Sequence, residues 1–157
     1  MATTPSLITY KNLRFLITDG PCEANLPSYI EMLKTYNVKK VVRVCSITYS
    51  SQLMKDHDIK VIDLIYPDGH IPSLNIIKNW LTLINDSFKD SNETIAVHCI
   101  AGLGRAPTLV AIALIENGMD PNEVVKLIRE KRKGSFNYNQ LQYITHYKKY
   151  SKKCFIL

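Results

Sequence analysis

The sequence predicts an α/β fold, a central, mainly parallel sheet flanked by helices, and three observations carry that reading. Short β-branched runs alternate with helix-periodic stretches over the first two-thirds of the chain, the pattern of strands joined by crossover helices. The last third carries helix caps and stops with no strand signal. The length of 157 residues, with 46% hydrophobic and 22% charged side chains, suits a single domain that buries roughly 70% of its unfolded surface. Only 6 Gly and 7 Pro argue against disorder and low complexity.

Leu13–Thr18 reads as the first strand, closed by the turn Asp19-Gly20-Pro21. From Pro27 to Tyr36, Tyr29, Ile30, Leu33 and Tyr36 recur at helical spacing. Val38–Val44 is β-branched and buried at its end, with Cys45 just beyond, and Lys60–Leu64 is a further short strand. Ser73 caps a helix with Ile76, Ile77, Trp80, Leu81 and Ile84 on one apolar face. Thr94–Val97 is the next strand, followed at once by His98-Cys99. Ala106-Pro107 opens a helix along Leu109, Val110, Ala113 and Leu114 that Gly118 ends. Asp120-Pro121-Asn122-Glu123 reads as a capping box for a helix through Ile128 that stops near Gly134. Asn137 with Gln140 repeats the device for a last helix carrying Leu141, Ile144 and Tyr147.

The four cysteines, Cys22, Cys45, Cys99 and Cys154, show neither zinc-site spacing nor the density of a disulfide scaffold. No apolar run approaches the ~20 residues of a membrane span, and the start lacks the pattern of a secretory signal, so a reducing cytosolic setting is expected. His57, His70 and His146 have no partners at ligand spacing and read as surface residues, and Cys22 reads as an incidental loop thiol. The net charge of +6 is uneven: residues 1–123 carry −2 and residues 124–157 carry +8. Nucleic acid, an anionic membrane and a phosphorylated substrate are all open partners for such a chain.

His98-Cys99-Ile100-Ala101-Gly102-Leu103-Gly104-Arg105 lies between a buried strand and a helix start, the junction where open α/β sheets bind ligands. Ile100 to Gly104, two of them glycine, can wrap so that successive N–H groups point inward, an anion nest backed by the helix N-terminus. Arg105 then offers two donors to phosphate oxygens, and the positive surroundings favour Cys99 as a thiolate nucleophile. The competing reading makes Cys99 a buried hydrophobe and the glycines mere turns; strand, H-C-x5-R and helix start in register favour the site.

This stretch resembles the signature of the cysteine-dependent tyrosine and dual-specificity phosphatases. HCIAGLGRAPTLVAIALIENGM, with NLRFLIT, VVRVCSITY and KRKGSFNYNQL, is closely similar to the PRL phosphatases (phosphatases of regenerating liver, protein tyrosine phosphatase type IVA), over residues from about 5 to 150. The resemblance implies a protein tyrosine phosphatase-like fold of the dual-specificity type, a phosphatase domain over residues 1–150 and a basic tail over 151–157. It implies hydrolysis of phosphomonoesters through a cysteinyl-phosphate, with no metal and no cofactor.

Alone, Asp68 in Tyr66-Pro67-Asp68-Gly69 reads as a turn aspartate; the resemblance makes it the general acid, on a loop that Gly69 lets move. The segment departs from the family's usual Trp-Pro-Phe-Asp. Ala106 stands where most relatives outside the PRL group have Ser or Thr, whose hydroxyl helps the thiolate leave; slow turnover is expected. Cys45, alone a buried apolar cysteine, becomes by resemblance the partner of Cys99 in a reversible disulfide. Cys154-Phe155-Ile156-Leu157 is a C-a-a-X box whose terminal Leu favours geranylgeranylation, and Lys148, Lys149, Lys152 and Lys153 supply the second signal for an anionic membrane. The family commonly has two adjacent cysteines where this chain has Lys153-Cys154. The expected location is the cytoplasmic face of the plasma membrane and endosomes, or the cytosol without the prenyl group.

The expected partners are a phosphorylated protein or phospholipid substrate and the membrane. The resemblance adds homotrimers and, as an alternative role, weakly active binding of CNNM-type magnesium transport mediators through the same pocket. Nucleic acid is disfavoured, because the basic third lacks interleaved aromatics on a recognisable platform.

Overall fold

The computed structural model describes residues 4–150. Five strands, β1 (Ser6–Tyr10), β2 (Leu13–Thr18), β3 (Val38–Arg43), β4 (Lys60–Asp63) and β5 (Thr94–His98), form one sheet in the order β1-β2-β5-β3-β4. The pairs β2·β5, β5·β3 and β3·β4 are parallel, and β1 runs antiparallel to β2. The sheet is mainly parallel, as expected, with an antiparallel edge that the sequence pattern did not reveal. Its hairpin turns at Lys11, whose φ is 52°, without the Asn-Gly or Asp-Gly pair that would mark it.

The helices are α1 (Leu26–Thr35), α2 (Gln52–Asp56), α3 (Leu74–Ser87), α4 (Arg105–Glu116), α5 (Pro121–Lys131) and α6 (Tyr138–Thr145). They cover both faces because alternate strand residues point to opposite sides. Phe15 and Ile17 of β2, Val42 of β3, and Ile95 and Val97 of β5 pack with Trp80, Ile84 and the buried length of α4. Leu16, Val41 and Ala96 point the other way, against Leu26, Ile30 and Leu33 of α1 and Met54 of α2.

Local signals set several ends. Ser73 accepts the Ile76 amide, and Asn137 with Gln140 forms the reciprocal box at the start of α6. Asp120 accepts from Asn122 and Glu123, so the cap holds, although Glu123 does not bond back to it. Helix α4 begins one residue earlier than expected, at Arg105, and Tyr147 packs beyond the end of α6. The tail with Lys152, Lys153 and Cys154 lies outside the described residues.

Candidate active site

Three of the four parallel strands, β3, β4 and β5, end side by side, and the backbone beyond them is stitched together. Val44 N donates to His98 O (3.1 Å), Leu64 N to Arg43 O (2.9 Å) and Tyr66 N to Val44 O (3.4 Å). Cys45, Asp68 and Cys99 are thereby brought to one end of the sheet from three different loops.

The loop from Cys99 to Gly104 is held from outside by its carbonyls. Cys99 O accepts from His98 Nδ1 (3.1 Å), Ile100 O from Gly20 N (2.8 Å), and Ala101 O from Arg132 Nη2 (3.0 Å). Gly102 O accepts from Arg132 Nε (2.7 Å) and Leu103 O from Phe136 N (2.7 Å). No peptide in the described chain is cis. In a trans peptide the N–H of the next residue points opposite the carbonyl, so the amides of Ile100 to Gly104 face the concave side together. Helix α4 starts there and adds the positive end of its dipole. Gly102, at φ +69°, adopts the left-handed region, and a Cβ on it would stand 2.5 Å from Thr18 O.

Arg105, only 5% exposed, closes the nest. Its Nη1 is fixed by Tyr66 O (3.2 Å) and Val44 O (3.4 Å). Its Nε is buried without a hydrogen-bond partner; Asp68 Oδ1 stands 3.5 Å away, at ion-pair range but outside hydrogen-bond geometry. An unsatisfied buried guanidinium N–H beside converging amides fits an incoming anion.

The Asp68 carboxylate is 82% exposed and lies over the site. Its loop is clasped to α6, Asn137 Nδ2 donating to Gly69 O (3.1 Å) and Gln140 Nε2 to His70 O (3.4 Å). Tyr66 is buried and donates its hydroxyl to Arg105 O (2.8 Å). Burial pushes the Tyr66 hydroxyl up, with Cys99 adding and Arg105 opposing.

Cys45 and Cys99 are both buried and both free thiols. Burial pushes the Cys45 thiol up, Arg105 opposes this, and Cys99 adds to it. Beneath them His98 is fully buried, and burial lowers its pKa to about 4, so it is neutral near pH 7. Its Nδ1 contacts a carbonyl and its Nε2 lies 2.7 Å from the Tyr49 hydroxyl. The assigned tautomer therefore carries its proton on Nδ1 and accepts from Tyr49. Tyr49 is itself fixed by Arg43, whose Nη1 donates to Tyr49 O (2.7 Å) and whose guanidinium stacks 4.8 Å from the ring centre.

The structure thus gathers Cys45, Asp68, Cys99, the loop from Ile100 to Gly104, and Arg105. His57, His70 and His146 are exposed, as is Cys22. Sequence reasoning missed Tyr49, Gly20, Arg132 and Gln140, which hold the loops from a distance. Two left a local trace: Gly20, read only as part of a turn, and Gln140, read as a helix cap, whose amide also packs against Gly104.

A phosphate-sized nest at a strand end, a thiol at its start and an arginine at its close define the cysteine-dependent phosphatases. Residues 20–119 match the family profile described as polymorphic toxin system, DSP-PTPase phosphatase. The chain is 50% identical over 144 residues to protein tyrosine phosphatase type IVA A of Dictyostelium discoideum, covering 91% of this chain and 87% of that one. It is 46% identical over 145 residues to protein tyrosine phosphatase type IVA 3 of Bos taurus, covering 92% and 84%. A solved structure titled as a protein tyrosine phosphatase from Leishmania major superposes with a TM-score of 0.85 at 39% identity, over 94% of this chain and all of that chain. The chain belongs to the protein tyrosine phosphatase type IVA, or PRL, family, and its fold is that of the dual-specificity phosphatases.

Proposed function

We propose that the chain hydrolyses phosphomonoesters on proteins through a phosphoryl group carried by Cys99. The observation that carries this is the Nε of Arg105, buried without a hydrogen-bond partner beside the inward amides of Ile100 to Gly104. In the first step the Cys99 sulfur attacks phosphorus in line, the S–P bond forms and the P–O bond to the leaving group breaks. Asp68 delivers its proton to the leaving oxygen, while Arg105 and the amides hold the equatorial oxygens. In the second step water attacks phosphorus, Asp68 takes its proton, and the thiolate leaves. Ala106 offers no hydroxyl to that thiolate, so the second step is slow and the intermediate accumulates. A rapid burst of released alcohol or phenol followed by slow steady turnover is expected, and Cys99→Ser removes both. Undiminished hydrolysis by Cys99→Ser refutes the reading.

The same pocket suits a reversible Cys45–Cys99 disulfide, supported by two buried thiols at adjacent strand ends. Peroxide followed by peptide mass spectrometry is expected to yield that cross-link, and its absence removes the proposal. Anchoring through prenylated Cys154 and the lysines before it, at the cytoplasmic face of membranes, rests on the sequence of the tail. Cys154→Ser is expected to abolish membrane partitioning, and unchanged partitioning refutes it. Slow release caused by Ala106 also favours a second role, in which the pocket holds a CNNM-type partner rather than turning over substrate. Asp68→Ala is the discriminating variant: it stops catalysis and keeps the pocket, so a retained cellular effect supports binding.

A further inference from the structure

Helix α6 opens with a reciprocal cap built from two side-chain amides, although Ser or Asp at its first position and Glu at the other would serve the cap as well. Asn137 Oδ1 accepts the backbone amide of Gln140 (2.8 Å), and Gln140 Oε1 accepts that of Asn137 (3.0 Å). Each oxygen is thereby committed to helix backbone, which fixes how each amide is turned and leaves its NH2 facing the other way. Both NH2 groups meet the Asp68 loop. Asn137 Nδ2 donates to Gly69 O (3.1 Å), and Gln140 Nε2 donates to His70 O (3.4 Å). Gln140 is 1% exposed, and its amide packs on Gly104, where a Cβ would stand 3.1 Å from both Nε2 and Oε1. One cap therefore touches the loop that carries Asp68 and the residue that precedes Arg105.

Asp68 itself sits in a tight turn that is held on both sides. His70 N donates to Pro67 O (3.2 Å) across Asp68 and Gly69, and Gly69 takes the positive φ, +75°, that suits the third position of such a turn. On the near side Tyr66 Oη donates to Arg105 O, and Arg105 Nη1 donates to Tyr66 O. On the far side the hold is the pair of α6 amides. Between them the Asp68 carboxylate stands 3.5 Å from Arg105 Nε.

We propose that Asn137 and Gln140 are positioning residues for proton donation: the α6 cap doubles as a clamp that sets Asp68 over the phosphate-binding loop before substrate arrives. The proposal rests on the phosphatase reading with Asp68 as general acid. A proton donor must lie within hydrogen-bond reach of the leaving oxygen as the P–O bond breaks. A carboxylate 82% exposed on a free loop would have to be ordered at that moment, at a cost to the rate; the clamp orders it in advance. Gly69 then serves the turn rather than the loop movement expected from sequence.

The test uses Asn137→Ser and Asn137→Asp, which keep a capping oxygen and remove the NH2, so that α6 keeps its start. The quantity read is kcat/KM, which reports the step that breaks the P–O bond. It is measured on phenyl phosphate, whose leaving group needs a proton, and on p-nitrophenyl phosphate, whose leaving group departs as a stable anion. Both variants are expected to lose roughly tenfold on phenyl phosphate and less than about twofold on p-nitrophenyl phosphate, with urea midpoints close to that of the natural chain. Gln140→Glu, which also keeps its capping oxygen, is expected to show the same difference between substrates. Asp68→Ala is expected to show a larger difference of the same kind, and adding Asn137→Ser to it to change nothing further. Equal losses on the two substrates, unchanged kinetics in the Asn137 variants, a loss confined to Asn137→Asp, or a further loss in the double variant overturns the clamp. If Asp68→Ala itself treats the two substrates alike, the reading of Asp68 as general acid falls instead.

Discussion

Replacing Arg132 by Met tests whether the phosphate-binding loop is held from behind. Arg132 is 5% exposed, and it donates to Gly102 O (2.7 Å), Asp19 Oδ1 (2.8 Å) and Ala101 O (3.0 Å). It also reaches Ile17 O, Ser6 Oγ and Thr4 O, tying the loop to β2 and the β1 edge. Hydrogen bonds from a charged donor contribute roughly 1.5–3 kcal/mol each, and losing one member of a buried charged pair costs roughly 3–5 kcal/mol. Water reaches part of the gap left by Met, so the net loss is about 4 kcal/mol, a large share of the ~5–15 kcal/mol of a typical domain. Two loop carbonyls are freed at once, so their peptide planes can rotate and turn the amides of Gly102 and Leu103 away from the nest. Urea midpoints read the stability, and kcat/KM on p-nitrophenyl phosphate reads the loop, with a fall beyond tenfold expected. Arg132→Lys keeps a cation near Asp19 but cannot span both carbonyls, and is expected to lie between. A loss below about 1 kcal/mol with full kcat/KM in the Met variant would refute the reasoning.

Gly20→Ala is expected to cost more than tenfold in kcat/KM, because its Cβ would press on the Cys99 carbonyl, which adjoins backbone rather than a flexible side chain; wild-type kinetics would contradict this. Stability is expected to fall as pH drops from about 6.5 toward 4, because buried His98 stays neutral down to about 4 while the unfolded chain takes up the proton first. The full effect is about 3 kcal/mol for that group; urea midpoints that stay level from pH 7 to 4.5 would contradict it. Tyr49→Phe strands the His98 Nε2 acceptor and is expected to lower stability by about 1–3 kcal/mol, read from the same midpoints. An unchanged midpoint would show that the bond carries nothing.

What could be read from sequence was local or periodic. Ser73, Asp120 and Asn137 announce helix starts because a short side-chain oxygen reaches amides two or three residues on. The H-C-x5-R stretch announces the nest because every part of it is contiguous. β1 escaped because its hairpin turns on Lys11-Asn12, and α2 because one short turn of helix leaves no periodic trace. Arg132 and Tyr49 escaped for a different reason. Their partners, Gly102 and His98, are distant in sequence, and a lone arginine after a basic helix gives no sign of turning inward.

The central claim is that phosphate passes through Cys99. The direct measurement is acid-quenched peptide mass spectrometry of the natural chain mixed with p-nitrophenyl phosphate during the burst. A phosphoryl group on the peptide bearing Cys99, absent from Cys99→Ser and from the peptide bearing Cys45, is the predicted result. Phosphate on the Cys45 peptide, or a full burst with no phosphocysteine, would contradict it.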